Sequence, residues 1–280
     1  MNPPVDQLSL EELALFNELF AQKFGLYFPE HKREILESRL LPRLRANHVN
    51  RFIDYYLLLQ YDLQREMDAL TQAITNNESY FFRETNQFEI LNDDLLQGLL
   101  KNGIRGRIRA LSAGCSSGEE PYSLNIFLRD ALGGGENAPV SILGIDLDTR
   151  RLLQAEEAVY RPSSLRSLSE EQIERFFERR SEMAYELRPQ YRFGVDLRRG
   201  NILEVKSLGP PQSYDMVFCR NVLIYFSEPA LKKAIDHFAQ VIRPQGLLFL
   251  GHSESIIGLT PLFQAERLGT TIAYRRKDDV

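Results

Sequence analysis

Leu111-Ser-Ala-Gly-Cys-Ser-Ser-Gly-Glu-Glu-Pro-Tyr-Ser123 reads as a strand running through a turn of small residues into a helix. Ile108, Ala110 and Leu111 supply the apolar end of the strand. Gly114 and Gly118, with Ser112, Ala113, Ser116 and Ser117 around them, let backbone amides come close to a ligand. Pro121 suits the first turn of a helix, where its missing N–H costs nothing. One helix length later, Val140-Ser-Ile-Leu-Gly-Ile-Asp146 reads as a second strand ending on a carboxylate. Strand, glycine turn, helix, strand and terminal acid describe a nucleotide-type site at the carboxyl ends of parallel strands.

The turn lacks the G-x-G-x-x-G spacing of a dinucleotide fold. It also puts Glu119 and Glu120 where a pyrophosphate would sit. Carboxylates there repel a phosphate but suit a ligand with a cation and hydroxyls, such as the sulfonium, amino group and ribose of S-adenosylmethionine (AdoMet). The alternative is that both acids only complement the dipole at a helix start. Asp146 is the expected ribose ligand, since a carboxylate can accept from both hydroxyls. A third strand is expected from Tyr214, with Arg220, Asn221 and Tyr225 beyond its end. Val195 to Leu197 reads as a further strand, and the turn after it carries Asn201 and Ile202. Asn201 is placed to bond an adenine edge or simply to shape its turn.

The ordered blocks Asn77-Glu-Ser-Tyr-Phe-Phe-Arg-Glu84, Cys115 to Ser123, Gly144 to Asp148, Phe218 to Phe226 and Leu248 to Glu254 resemble those of CheR-type chemotaxis receptor methyltransferases. The resemblance covers essentially the whole chain. It implies a class I AdoMet-dependent methyltransferase (Rossmann-like) α/β domain, a small all-α N-terminal domain and an inserted β-hairpin subdomain. The implied activity is methyl transfer from AdoMet to glutamate side chains of chemoreceptors, leaving S-adenosyl-L-homocysteine (SAH). By the same resemblance Asn77, Ser79, Arg83, Glu119, Asp146, Asn201, Ile202, Arg220 and Asn221 surround the cofactor, and Arg83 and Tyr225 lie nearest the transferred methyl. Some family members hold a receptor-tail peptide on the inserted hairpin. This hairpin lacks their extra glycine-containing residues, so no pentapeptide tether is expected. An AdoMet-binding scaffold, or a methyltransferase with another substrate, are the alternatives.

At 280 residues with 43% hydrophobic and 26% charged content, the chain reads as an ordinary globular protein of one large or two modest domains. No apolar run approaches the ~20 residues that span a bilayer, and Met1 to Asp6 lacks the pattern of a signal peptide. Cys115 and Cys219 read as reduced thiols, so a cytoplasmic protein is expected. The four histidines have no ligand spacing, and no metal site is expected. A net charge of −5 argues against nonspecific nucleic-acid binding.

Local charge differs. Between Glu30 and Arg51 the basic residues outnumber the acids, and Pro29 is expected to open a basic helix. Arg39, Arg43 and Arg45 on that helix are the expected docking residues for an acidic helical bundle of the receptor, against the plainer reading of a solvated face.

Helical periodicity runs from Leu8 to Phe24, capped by Ser9 and stopped by Gly25. Two further helices are expected over 51–60 and 63–75. This gives a helical docking domain over 1–75, a linker contributing to the active site over 76–90, and the methyltransferase domain over 91–280. Alternation from Tyr185 to Val195 around Pro189 places the inserted hairpin at about 181–199. Pro244-Gln-Gly246 reads as a turn before a strand from Leu247, and Phe263 to Arg275 as an antiparallel pair around Gly269.

Overall fold

A computed structural model of the chain describes residues 7–76, 78–91, 93–102, 106–133 and 138–278. Two compact units emerge: one formed by the chain up to Asn76 together with Tyr225–Leu231, the other by Asn77–Ile224 and Lys232 onward.

The first unit is helical. Helix α1 (Leu10–Phe24) begins at a reciprocal cap, in which Glu12 N–H donates to Ser9 Oγ and Ser9 N–H to Glu12 Oε2. It ends at Gly25, whose φ of 80° suits a residue without Cβ; an added Cβ would also meet the Phe226 ring at 3.0 Å. Pro29 opens a 3₁₀ turn over Glu30–Lys32, and α2 (Arg33–Ala46) starts after it, carrying Pro42 inside. Leu36, Leu40 and Leu44, spaced by one turn, are fully buried. Helix α3 (Phe52–Ile74) is two helices merged at Asp62, whose φ of −147° and ψ of 72° break the helical run.

Two of the three basic residues expected to dock are half-buried and bonded within the helical unit. Arg43 donates to both oxygens of Glu66 on α3 at 2.7 and 2.8 Å, and Tyr55 O–H donates to the same carboxylate. Arg39 donates to the Ile74 carbonyl at 2.9 Å. Partners 23 and 35 residues away redirect these two charges, and of the expected trio Arg45 alone is exposed.

In the second unit come α4 (Asn86–Glu89), α5 (Asp93–Asn102), β1 (Ile108–Ala113), α6 (Glu119–Ala131), β2 (Val140–Asp146), α7 (Thr149–Glu157), β3 (Val159–Tyr160) and α8 (Glu170–Phe176). The chain continues through β4 (Phe177–Ser181), β5 (Ala184–Leu187), β6 (Val195–Arg199), α9 (Val205–Leu208) and β7 (Tyr214–Cys219). Helix α10 (Glu228–Val241), which belongs to this unit from Lys232 onward, β8 (Ile242–Leu250), β9 (Phe263–Leu268) and β10 (Thr271–Arg276) close the chain.

Among the described residues the main sheet is seven-stranded, in the order β6-β2-β1-β7-β8-β10-β9. Strands β6, β2, β1, β7 and β8 run parallel, with Leu111 level with Leu143 and Val217, while β10 and β9 pair antiparallel. This is the α/β arrangement expected from the alternation of elements. Chain order turns back between β1 and β7, so the loops after these strands open the crevice where such sheets bind ligands.

Two expectations about strands are corrected. The hairpin is β4–β5, with β3 as its third strand, and it spans Phe177 to Leu187 instead of 181–199. Val195–Arg199 pairs with β2 in the main sheet, and Pro189 opens a 3₁₀ turn between the two sheets. The alternation from Tyr185 to Val195 therefore belongs to segments in different sheets. Likewise Pro244 to Gly246 lies within β8, at an irregularity in its register with β7, where Gln245 has φ of 64°.

Candidate active site

The carboxyl ends of β1, β2, β7 and β8 bring most of the expected residues into one unit. After β1 the chain makes a left-handed turn through Gly114, Ser116 and Gly118, with φ of 83°, 49° and 90°. A Cβ at Gly114 would come within 2.5 Å of Val222, so this turn demands glycine there. Asp146, at the end of β2, stabilises the turn from outside: its Oδ2 accepts from Ser116 N–H and its Oδ1 from Asp148 N–H, both at 2.8 Å. Burial pushes its carboxyl above the ordinary range, and these amide bonds only partly oppose that.

Glu119 and Glu120 differ. Glu120 is paired: Arg220 Nε lies 2.6 Å from its Oε2, and Ser112 O–H donates to Oε1 at 2.7 Å. Glu119 is 1% exposed and accepts from the hydroxyls of Ser117 and Ser164; among the described residues no cation pairs with it.

The linker is fixed by packing. Phe81 is fully buried, edge-on to Tyr160 at 4.8 Å and Phe177 at 5.0 Å. Such rings add roughly 0.5–1.5 kcal/mol per pair beyond their burial. Phe81 N–H donates to Ser164 O and Phe82 N–H to Ser123 Oγ, both at 2.9 Å. These contacts hold Phe82 and Glu84 in left-handed conformations, φ 52° and 57°, each costing of order 1–3 kcal/mol. Between them Arg83 donates to Glu78 O at 3.1 Å and lies over the Tyr80 ring. Its own carbonyl accepts from Arg220 Nη1. Ser79 is half-buried just before this turn, and Asn77 lies outside the described residues.

Arg220 is thus an internal brace between the glycine turn and the linker, 7% exposed and flanked by the Phe88 and Phe218 rings. Asn221 follows in a left-handed conformation, φ 59°, with its Oδ1 buried and, among the described residues, unpartnered. Asn201 Oδ1 accepts from Leu203 N–H at 2.9 Å, which is the turn-shaping role, and Ile202 is 7% exposed with its carbonyl 2.9 Å from His237 Nδ1.

Tyr225 groups with the helical unit. Its hydroxyl oxygen accepts from Asn76 Nδ2 at 2.7 Å, its carbonyl accepts from Tyr27 N–H, and Lys32 lies over its ring at 5.7 Å. A residue not singled out from sequence is Glu254, whose carboxylate accepts from the amides of Asn221, Val222, Ile224 and Gly251. Its only sequence signal was its place in the block beginning at Leu248. Among the described residues no cluster of His, Cys, Asp or Glu is arranged to hold a metal, and no helix is long and apolar enough to cross a membrane.

Residues 77–272 match the SAM-binding domain of the CheR methyltransferases, and residues 11–75 match their all-alpha domain. The chain belongs to the CheR methyltransferase family. It is 34% identical to chemotaxis protein methyltransferase 2 of Vibrio cholerae, over 92% of this chain and 90% of that protein. Identity is 35% to the chemotaxis protein methyltransferase of Salmonella typhimurium, over 93% and 88% of the two chains. To that of Escherichia coli it is 33%, over 94% and 90%. This CheR-family protein is therefore an AdoMet-dependent methyltransferase of chemotaxis, as the ordered blocks of its sequence imply.

Proposed function

We propose that this enzyme methylates glutamate side chains on the acidic helical bundle of a chemoreceptor, within the cytoplasm, and that the residues described above divide the work. The observation that carries the site assignment is the pair Glu119 and Asp146: both are buried, and neither is matched by a cation among the described residues. Such carboxylates suit ribose hydroxyls and a positively charged ligand. The unpartnered Asn221 Oδ1 adds a desolvated acceptor suited to an ammonium N–H. Ser79, Asn77, Asn201 and Ile202 complete the proposed cofactor contacts. Arg220 acts through its braces to Glu120 and the Arg83 carbonyl.

When bound, AdoMet supplies an electrophilic methyl group on sulfonium. A glutamate carboxylate is already ionised near neutral pH, so no general base is needed. What the protein must provide is position. Carboxylate and sulfonium lose their charges together, so a strong ion pair to the nucleophile would favour the ground state. Tyr225 meets that constraint, because the Asn76 amide donates to its oxygen and leaves the phenolic proton free to orient a carboxylate oxygen without neutralising it. Arg83, tethered through Glu78 O and Tyr80, steers the carboxylate or the cofactor.

The test is transfer of labelled methyl from AdoMet to receptor fragments, with base-labile release as methanol. Arg83→Ala and Tyr225→Phe should each lower turnover about 100-fold, the cost of a misplaced reacting group. Full rates in both variants would remove these roles, and the absence of base-labile label would remove the substrate. The β4–β5 hairpin is proposed to work without a receptor-tail tether; micromolar binding of such a peptide would overturn that part.

A further inference from the structure

Two stretches after adjacent parallel strands converge on one side chain. Glu254 Oε2 accepts from Asn221 N–H at 2.9 Å and Gly251 N–H at 2.7 Å, while Oε1 accepts from Val222 N–H at 2.9 Å and Ile224 N–H at 3.1 Å. One carboxylate thus does for the turn after β7 what a cap does for a helix, from 30 residues away. The turn needs it, since Asn221 is a non-glycine residue with φ of 59°. Gly251 packs under the same turn. A Cβ there would lie 2.9 Å from Asn221 N, from Asn221 Nδ2 and from Glu254 Oε2. The backbone of Asn221 is therefore held by Glu254, and its amide nitrogen lies against Gly251. Its Oδ1 is left buried with no partner among the described residues.

A buried acceptor without a partner is costly unless a ligand donor meets it. Glu254 therefore holds Asn221 in a conformation that keeps this buried acceptor available to a donor. We propose that Glu254 is a positioning residue for methyl transfer, locking Asn221 so that its amide oxygen stands ready for a donor N–H of the cofactor. This rests on the reading that Asn221 contacts AdoMet, and it adds the group that makes the contact possible. Glu254 itself touches no reacting atom.

The same loop reaches the linker. His252 Nδ1 lies 3.0 Å from Glu84 Oε1, and Gln87 Nε2 donates to Leu250 O at 2.7 Å. The chain from Leu250 to Glu254 thus serves both the Asn221 turn and the segment that carries Arg83.

The test is a double-mutant cycle on the full-length protein, with SAH affinity measured by calorimetry and folding checked by circular dichroism. Glu254→Gln should weaken SAH about tenfold, as should Asn221→Ala, and the double variant should lose no more than the weaker single one. Gly251→Ala, which leaves the carboxylate in place but crowds Asn221, should reproduce the loss; paired with Asn221→Ala it carries the same cycle if Glu254→Gln does not fold. Multiplying losses, or unchanged affinity in Glu254→Gln, would overturn the positioning role while the Asn221 contact stands. Unchanged affinity in Asn221→Ala would remove the cofactor contact and the proposal with it.

Discussion

Glu66 in the helical unit and Glu254 in the sheet unit are both carboxylates drawn away from water, but the chain meets them with different chemistry. Glu66 receives an arginine, a phenol and an amide; burial pushes it up, but those bonds more than offset this and hold its carboxyl below the ordinary range. Glu254 receives backbone amides, and burial prevails, so its carboxyl sits above that range. Asp146 follows Glu254. The helical unit uses a matched ion pair to join α2 to α3. The sheet unit leaves negative charge uncompensated at the ends of its strands, which is what a cationic ligand requires.

The sharpest test of this contrast is stability. Arg43→Ala leaves Glu66, whose side chain is 6% exposed, without its cation, and should cost about 3–5 kcal/mol. Glu66→Ala should cost less, because the Arg43 side chain is 21% exposed and can turn to water. Hydrogen exchange over α2 and α3 during denaturant titration would read both, with SAH affinity unchanged in each. If Glu66→Ala proves the more damaging, the ion pair is not what joins these helices.

Next in size is the cofactor side. Asp146→Ala should weaken SAH about 100-fold by calorimetry, the equivalent of a lost pair of charge-assisted hydrogen bonds. Unchanged affinity would remove the ribose assignment.

Acidification should separate the two units further. A carboxyl held below its unfolded value stabilises the fold at neutral pH, and that contribution is lost as pH falls through the folded value. Glu66 is of this kind. A carboxyl held above its unfolded value stabilises the fold at low pH, and that contribution is lost as pH rises through the folded value. Asp146 and Glu254 are of this kind. On the proposed contact of ionised Asp146 with the ribose, lowering the pH should weaken SAH binding on the alkaline side of the ordinary aspartate range, before the α2–α3 pair is touched. Calorimetry across pH 4 to 7 checks this, since about tenfold per unit is the steepest fall one proton allows. A flat profile would break the comparison.

The parts of the molecule that sequence reveals are those governed by near neighbours. Strands β1, β2 and β7 lie where the glycine turn, the terminal Asp146 and the apolar run from Tyr214 place them, and Ser9 caps α1 as its local pattern implies. Phe81, an aromatic in the linker, is buried as its apolar ring favours. What stayed hidden depends on distant partners. The destination of Arg43 is Glu66, 23 residues on, and nothing in the basic run points to it. The alternating stretch before Asn201 could not show that its two ends join different sheets. Glu254 looked like an ordinary acid because its partners are amides, which no side-chain pattern encodes.

The smallest expected effect tests what remains of the docking surface. Arg39 and Arg43 are committed to the Ile74 carbonyl and Glu66, so substituting either disturbs the helices as well as any partner. Arg45 is exposed, and its substitution is free of that confusion. Arg45→Glu should raise KM for an acidic receptor fragment about two- to fivefold at low salt, leave kcat and SAH affinity unchanged, and lose its effect as salt screens the charge. An unchanged KM at low salt would mean that this part of α2 is simply a solvated face, and that the receptor is recognised elsewhere.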